Sequence, residues 1–103
     1  MATVILGQSA PNAATNTTIY TVTTGKQASF SVNILNRGAS SITIRLAIAA
    51  TATPGNAEWL EYDATIPANG VLERGGLVAT AGKQIVAYVS AATASVSVYG
   101  YEE

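Results

Sequence analysis

Hydrophobic and polar side chains alternate along much of the chain, which is the pattern of strands with one buried face. The alternation is clearest in residues 27–49, where two series of apolar positions are separated by residues 36–40. The apolar positions are Phe30, Val32 and Ile34 in the first series and Ile42, Ile44, Leu46 and Ile48 in the second. Because Gly38 tolerates a positive φ, residues 36–40 are predicted to join the two strands as an antiparallel hairpin.

Shorter stretches of similar character predict six further strands. They are residues 3–6, 17–22, 58–62, 71–78, 84–90 and 94–101. Turn-forming residues separate them, and Gly75 and Gly76 predict a bulge or a close backbone approach inside the strand at 71–78. About seven or eight short strands predict an all-β fold, a single antiparallel β-sandwich of the immunoglobulin-like or jelly-roll-like kind, with a small barrel as the alternative.

The length of the chain fits one domain. Its 103 residues can enclose one two-layer core and are too few for two. We therefore expect a single domain spanning residues 1–103. Within it, residues 1–16 are considered as an extended N-terminal arm, because the uncharged loop at residues 9–15 could become ordered against a neighbouring molecule.

Cysteine and histidine are both absent. Their absence excludes disulfides, thiolate and imidazole metal sites, and nucleophiles activated by histidine. We therefore expect no enzyme activity, no cofactor, no metal and no small-molecule substrate. Residues 1–6 lack the features of a secretory signal, and no stretch approaches about 20 apolar residues. Synthesis in the cytoplasm without membrane insertion is therefore expected.

Charged residues are scarce. They make up 11% of the chain, against about 25% in an ordinary soluble domain, while hydrophobic residues reach 49%. Either Thr, Ser and Asn replace charge on the exposed strand faces, or partner molecules cover much of the surface. The net charge of -1 gives no reason to expect binding to nucleic acid.

One segment, residues 58–63, concentrates the carboxylates. It contains Glu58, Glu61 and Asp63, and the alternation of a strand places Glu61 and Asp63 on the same face. A solvated sheet edge is the preferred interpretation of these acids. A glycosidase site built on two carboxylates and a Ca²⁺ site are the alternatives.

Five aromatic side chains could together form a platform on which sugars stack. They are Trp59, Tyr62, Tyr88, Tyr99 and Tyr101. The preferred interpretation is core packing for Trp59, and packing on a sheet surface or contact between subunits for the tyrosines.

Several strings along the chain are similar to those of a family of small virion proteins of tailed bacteriophages. The strings are IYTV (19–22) followed by GK (25–26), VNILNRG (32–38), RLAI (45–48), NAEWLEYD (56–63), ANGVLERGG (68–76) and VSVYG (96–100). The resemblance covers roughly residues 17–101. Members of the family are described as capsid decoration (cement) proteins or as structural proteins associated with the tail or its fibres, and the family has no catalytic motif.

The resemblance implies a capsid decoration protein on the capsid exterior of the virion, which binds the outer surface of the assembled major capsid shell and stabilises it. Its expected partners are the major capsid protein and further copies of the chain, as a dimer or trimer. A tail or fibre location and a carbohydrate-binding module are the alternatives. Six charged or aromatic residues are the candidates for interface contacts: Arg37, Arg45, Glu73, Arg74, Tyr99 and Tyr101.

Overall fold

The computed structural model describes residues 3–103, which form eight β-strands and one short 3₁₀ turn. The strands are β1 (Val4–Ser9), β2 (Thr17–Thr21), β3 (Gln27–Asn36), β4 (Ile42–Ala49), β5 (Trp59–Ile66), β6 (Val71–Thr80), β7 (Gln84–Val89) and β8 (Ala94–Glu102). The 3₁₀ turn, Asn56–Glu58, precedes β5. Every strand pair is antiparallel, so the predicted all-β class is confirmed.

The strands form two four-stranded sheets that pack face to face. Sheet A has the order β1-β8-β3-β6, and sheet B has the order β2-β7-β4-β5. The strands pair as the two arms of one long hairpin, β1 with β8, β2 with β7, β3 with β6 and β4 with β5. The chain changes sheet at every connection except β4–β5. This sandwich therefore has the jelly-roll arrangement and not the immunoglobulin one, in which several sequential strands are neighbours within a sheet.

The core lies between the two sheets and is built mainly from the central strands β3, β4, β7 and β8. The apolar series read from the sequence face this core, as predicted. Phe30, Val32, Ile34, Ile42, Ile44 and Leu46 are all buried, and Ile48 packs at the margin. The inward positions of the other two central strands complete the core with Ile85, Ala87, Val89, Ala94, Val96 and Val98.

The hairpin predicted at residues 36–40 is wrong, because this segment joins strands of different sheets. β3 lies in sheet A between β8 and β6, whereas β4 lies in sheet B. The segment turns a corner of the sandwich around the side chain of Asn36, which is fully buried. A glycine and neighbouring polar residues favour any tight change of direction, so the local signal could not separate a hairpin from a corner.

The Asn36 side chain connects three separate turns of the chain. Its Nδ2 group donates to the carbonyl oxygens of Ser40 at 2.8 Å, Pro67 at 3.2 Å and Ile66 at 3.3 Å. Its Oδ1 atom accepts from the backbone N–H of Gly38 and from the hydroxyl of Thr93, both at 2.9 Å. One buried amide therefore joins three turns at this end of the sandwich, beside the backbone hydrogen bonds from Asn36 to Gly70 and from Arg37 to Thr93.

Every register shift between paired strands within residues 3–103 lies on an edge strand. The extra residue belongs to β1, β2, β5 or β6, whereas the pairings among the central strands run without a shift. The bulge predicted at Gly75 and Gly76 is confirmed, since Phe30 pairs with Leu77 and Val32 with Arg74. Bulges on edge strands twist the free edge away from regular pairing with another strand.

Much of the N-terminal segment considered as an arm lies within the sandwich. Residues 4–9 are strand β1 of sheet A. In the following loop Pro11 is buried, and the backbone N–H of Ala14 donates to the carbonyl of Val89 at 2.8 Å. Residues 1 and 2 lie outside the described residues. The described part of this segment therefore packs on its own domain.

Candidate binding surfaces

The six interface candidates lie on four different parts of the molecule. Arg37 is at the corner between β3 and β4, where its guanidinium donates to the carbonyl of Ala94 at 3.4 Å. Arg45 lies on the outer face of sheet B, and Arg74 lies between the open edges of the two sheets. Glu73, Tyr99 and Tyr101 lie on the outer face of sheet A. The structure therefore brings only the last three onto one surface.

The outer face of sheet B carries a cluster of aromatic side chains around one arginine. The Arg45 guanidinium carbon lies 4.2 Å from the centroid of the Tyr62 ring and 4.5 Å from that of the Tyr88 ring. Its Nε donates to the Asp63 carboxylate at 2.7 Å, and this bond raises the pKa of Arg45. Tyr62 is 57% exposed, so the cluster is both fixed by internal contacts and open to a partner.

Trp59 extends this cluster and also buries a small satellite core on the same face. Ala47, Ala49 and Val86 point away from the main core and are fully buried, with Trp59 packed against them. The Trp59 ring meets the Tyr62 ring edge to face, with centroids 5.4 Å apart. Trp59 therefore has the predicted packing role, but in the satellite core. We call Arg45, Trp59, Tyr62, Asp63 and Tyr88 the arginine cluster.

The loop before Trp59 is fastened by Glu58. Its carboxylate accepts hydrogen bonds from the backbone N–H groups of Gly55 at 2.8 Å and Ala50 at 2.9 Å. These two bonds lower the pKa of Glu58. The Glu58 carboxylate therefore stabilises the loop that leads into β5.

Glu61 and Asp63 do not share a face, contrary to the prediction from simple alternation. β5 is bulged between its pairings with Ile44 and Leu46, and Asp63 has a φ of 55°. Glu61 lies opposite the inward-facing Leu46, at the open edge between the sheets, and contacts Arg74 at 2.5 Å. Asp63 instead contacts Arg45 on the outer face. The two carboxylates are thus separated, and each has its own arginine.

The arrangements that needed both acids are not formed. A glycosidase requires two carboxylates that flank one bond, whereas Glu61 and Asp63 face different surfaces. Among residues 3–103 there is also no group of three His, Cys, Asp or Glu side chains that could hold a metal ion.

The outer face of sheet A carries a second, different surface. The Tyr99 hydroxyl donates to the Glu73 carboxylate at 2.7 Å, and this bond raises the pKa of Tyr99. Because β3 lies between β8 and β6, the Tyr99 side chain must cross β3 to reach Glu73. The edge strands beside it expose large apolar side chains, namely Ile5, Val71 and Val78, which are 58%, 54% and 62% exposed.

A groove of about 330 Å³ lies on this face. Its outward-facing side chains are those of Thr3, Ser29, Ser31, Val78, Tyr99 and Tyr101, and Gly76 adds the backbone of the β6 bulge. We call it the tyrosine groove. The five aromatic residues therefore do not form one platform, because Tyr99 and Tyr101 lie on sheet A and the other three on sheet B. The alternation of the sequence could not show which sheet each strand would join.

Among the described residues no helix has the length and apolar character to cross a membrane. Comparisons with protein-family models, curated proteins and solved structures found nothing that matches this chain.

Proposed function

We propose that this chain is a structural protein of a bacteriophage virion, a capsid decoration (cement) protein that binds the outer surface of the assembled major capsid shell and stabilises it. The observation that carries the proposal is the arginine cluster on the outer face of sheet B. The resemblance of residues 17–101 to small phage virion proteins supports the same role. Jelly rolls also occur in viral capsid and lectin domains, which agrees with the proposal but by fold alone does not establish it.

The arginine cluster has the composition and rigidity of a protein-binding hot spot. Tyr, Trp and Arg supply most of the binding energy at protein interfaces. Here the guanidinium of Arg45 is already held by two rings and a carboxylate, so these side chains would lose little conformational freedom on binding. The exposed Tyr62 ring, on the edge strand β5, adds apolar area to this face.

The bulged edges favour contact through a face of the sandwich. A partner that added a strand would need a regular free edge, and β1, β2, β5 and β6 are all bulged. The domain therefore docks by side chains, both on the shell and in a dimer or trimer of the chain. Its low content of charge, 11%, reduces the cost of removing such a face from water.

Stabilisation of the shell follows from linkage. A protein that binds the intact shell and not its disrupted subunits shifts the equilibrium towards the shell. A symmetric lattice repeats the same contact many times, and an oligomer that spans several sites adds avidity. A small interface in each copy is then sufficient to stabilise the shell.

The proposal is tested by co-sedimentation of the purified protein with capsid shells of the phage that encodes it, after removal of the native protein. Wild type should bind saturably and raise the temperature at which the shells open. Tyr62→Ala and Arg45→Ala should each weaken binding by about 30-fold, because hot-spot side chains contribute about 2 kcal/mol or more. Sedimentation equilibrium on the free protein reports whether a dimer or trimer forms.

Arg37→Ala is the matched control, since Arg37 lies at the β3–β4 corner, away from the arginine cluster. It should bind shells as wild type does. Absence of saturable binding by wild type would overturn the proposal. Equal loss of binding in Arg45→Ala and Arg37→Ala would overturn the assignment of the docking face.

A location in the tail or its fibres is the alternative within the same structural role. It is distinguished by copy number in purified virions, measured by quantitative gel analysis. A decoration protein should approach the copy number of the major capsid protein, whereas a tail component should be present in only a few copies.

A further inference from the structure

The tyrosine groove exists because small residues of β3 lie between larger ones. In the register of sheet A, Ser29 pairs with Tyr101 of β8 on one side and with Val78 of β6 on the other. Ser31 pairs with Tyr99, and on its β6 side it faces Gly75, which has no side chain to fill this position. The result is a depression about two residues long, with walls of tyrosine and valine and a floor of serine.

The lining combines aromatic rings with hydroxyl groups and contains no Asp, Glu, Lys or Arg side chain. Tyrosine rings supply apolar faces for stacking, and the hydroxyls of Ser29, Ser31 and Thr3 supply donors and acceptors. The Glu73 carboxylate on the same face accepts a hydrogen bond from the Tyr99 hydroxyl. A ligand that fits this lining is uncharged, has hydroxyl groups around its edge and has an apolar ring face.

The groove is also preformed. Tyr99 is held across β3 by its bond to Glu73, and the backbone beneath the groove belongs to the two central strands of sheet A. A ligand therefore does not have to order the site before it binds. A volume of about 330 Å³ is at the lower end of the range of small-ligand sites. This volume suits a few sugar rings and not a folded partner.

From these observations we infer that the tyrosine groove is a binding site for a neutral saccharide, on the face of the domain opposite the arginine cluster. The inference goes beyond the proposed docking on a shell and does not depend on it. If both hold, a shell-bound copy presents its saccharide site to the surroundings, because sheet A faces away from the surface that docks.

An aromatic or apolar side chain of another protein is the other occupant that the groove could take. The Ser29 hydroxyl favours the saccharide, because burial under an apolar side chain would leave it without a hydrogen-bond partner. The experiment therefore includes a measurement that distinguishes the two.

The test is a glycan array that carries neutral and acidic glycans, followed by titration of the ¹⁵N-labelled protein with chitotriose, maltotriose and cellotriose. Wild type should bind one or more neutral glycans, and it should bind no acidic glycan more strongly than these. The backbone amides of residues 29–31 and 99–101 should show the largest chemical-shift changes. Tyr101→Ala and Ser29→Leu should each weaken binding by about tenfold or more, the first by removing a stacking ring and the second by filling the groove.

Tyr62→Ala is the matched control, because it removes a tyrosine from the opposite face and should leave glycan binding unchanged. Far-UV and near-UV circular dichroism spectra of each variant confirm that it folds. The titration of the wild-type protein tests the inference even if a variant fails to fold. The inference is overturned if no neutral glycan binds, or if the shift changes fall on sheet B. It is also overturned if residues 29–31 and 99–101 respond only to increasing protein concentration, which identifies a second copy as the occupant.

Shell binding by the same variants separates this inference from the proposed function. Tyr101→Ala should bind shells normally while losing glycans, and Tyr62→Ala should do the reverse. Shell binding and glycan binding are therefore tested independently, and either one can be disproved without the other.

Discussion

At the scale of single residues, the most consequential side chain is Asn36, the one buried polar residue among residues 3–103. Asn36→Ala should lower the free energy of unfolding by about 3 kcal/mol, because it leaves buried carbonyls and the Thr93 hydroxyl without partners. Urea unfolding followed by tryptophan fluorescence measures this change.

Asn33→Ala provides the comparison for Asn36, since Asn33 is on the same strand but points to the half-exposed outer face of sheet A. It should change stability by less than about 1 kcal/mol. If the two variants were equally stable, the corner of the sandwich would not depend on the buried amide.

A second residue-scale group ties the C-terminal strand to β2. The Glu102 carboxylate accepts from the backbone N–H of Thr23 at 2.7 Å and from the Thr23 hydroxyl at 3.0 Å. The buried Tyr20 hydroxyl has no hydrogen bond of good geometry within the described residues, but it lies close enough to interact with Glu102. The Tyr20 hydroxyl and the Thr23 N–H lower the pKa of Glu102, while burial and the Glu102 carboxylate raise the pKa of Tyr20.

These shifts predict how stability depends on pH. Glu58 and Glu102 have lower pKa values when folded, so their contribution is present above the ordinary carboxyl pKa of 4.5 and is lost as the pH falls through the folded values. Tyr20 has a higher pKa when folded, so its contribution is complete below pH 10.0 and is lost as the pH rises further. Urea midpoints measured from pH 2 to pH 11.5 should therefore fall at both ends.

Single substitutions assign each end of this profile. Glu102→Gln should flatten part of the acid limb, and Tyr20→Phe should flatten part of the alkaline limb. An alkaline limb that Tyr20→Phe leaves unchanged would show that Tyr20 does not couple to folding.

The residue scale also shows what the sequence could predict. Alternation placed Val32, Ile34, Ile44 and Leu46 in the core, because inward positions of a regular central strand must be apolar. Asn36 occupies the next inward position of β3 after Ile34, where a polar residue in an apolar series indicates a buried hydrogen-bonding role. Its partners near residues 66 and 93 could not be predicted, because they depend on which turns meet at that end of the sandwich.

At the scale of strands, the distribution of the bulges is the main feature. All four edge strands are bulged and the central strands are regular, which is the arrangement expected where edge-to-edge association is disfavoured. In β6 both Arg74 and Leu77 face inward, so regular alternation would require one residue between them. The chain has two, Gly75 and Gly76, and Gly76 has a φ of 69°.

Deletion of Gly76 should convert β6 into a regular edge strand while keeping the inward faces of both halves. The straight edge would then expose an uninterrupted row of N–H and C=O groups, and we expect concentration-dependent association beyond that of wild type. Sedimentation velocity over a range of concentrations measures it.

Gly76→Ala is the control for the deletion, because it keeps the extra residue. A side chain at this positive φ should cost about 1 kcal/mol of stability without promoting association. Identical sedimentation of the deletion variant and wild type would contradict a protective role for the bulge.

Two features of the strands differ from the sequence prediction for physical reasons. Turn residues at 36–40 indicate a change of direction but not the sheet that the next strand joins, so a corner and a hairpin look alike in the sequence. Simple alternation predicts Glu61 and Asp63 on one face, because β5, unlike β6, carries no glycine to mark its bulge. A β-bulge that contains no glycine or proline is difficult to predict from a sequence.

At the scale of the whole molecule, the fold closes by pairing the two ends of the described chain. Val4 pairs with Gly100, and β1 with β8 completes the long hairpin whose other end is the β4–β5 connection. This closure produces two outer faces of different chemistry, the arginine cluster on sheet B and the tyrosine groove on sheet A. Composition predicted a surface poor in charge, but only the topology distributes the aromatic residues between the faces.

If the face of sheet B docks this domain on the outside of a phage capsid, as we propose, electron cryomicroscopy should show it on shells from which the protein has been removed and then restored. We expect difference density of jelly-roll shape at repeated positions of the outer capsid lattice, with Arg45 and Tyr62 turned towards the shell. Difference density confined to the tail, or a shell-bound domain with sheet A against the capsid, would contradict it.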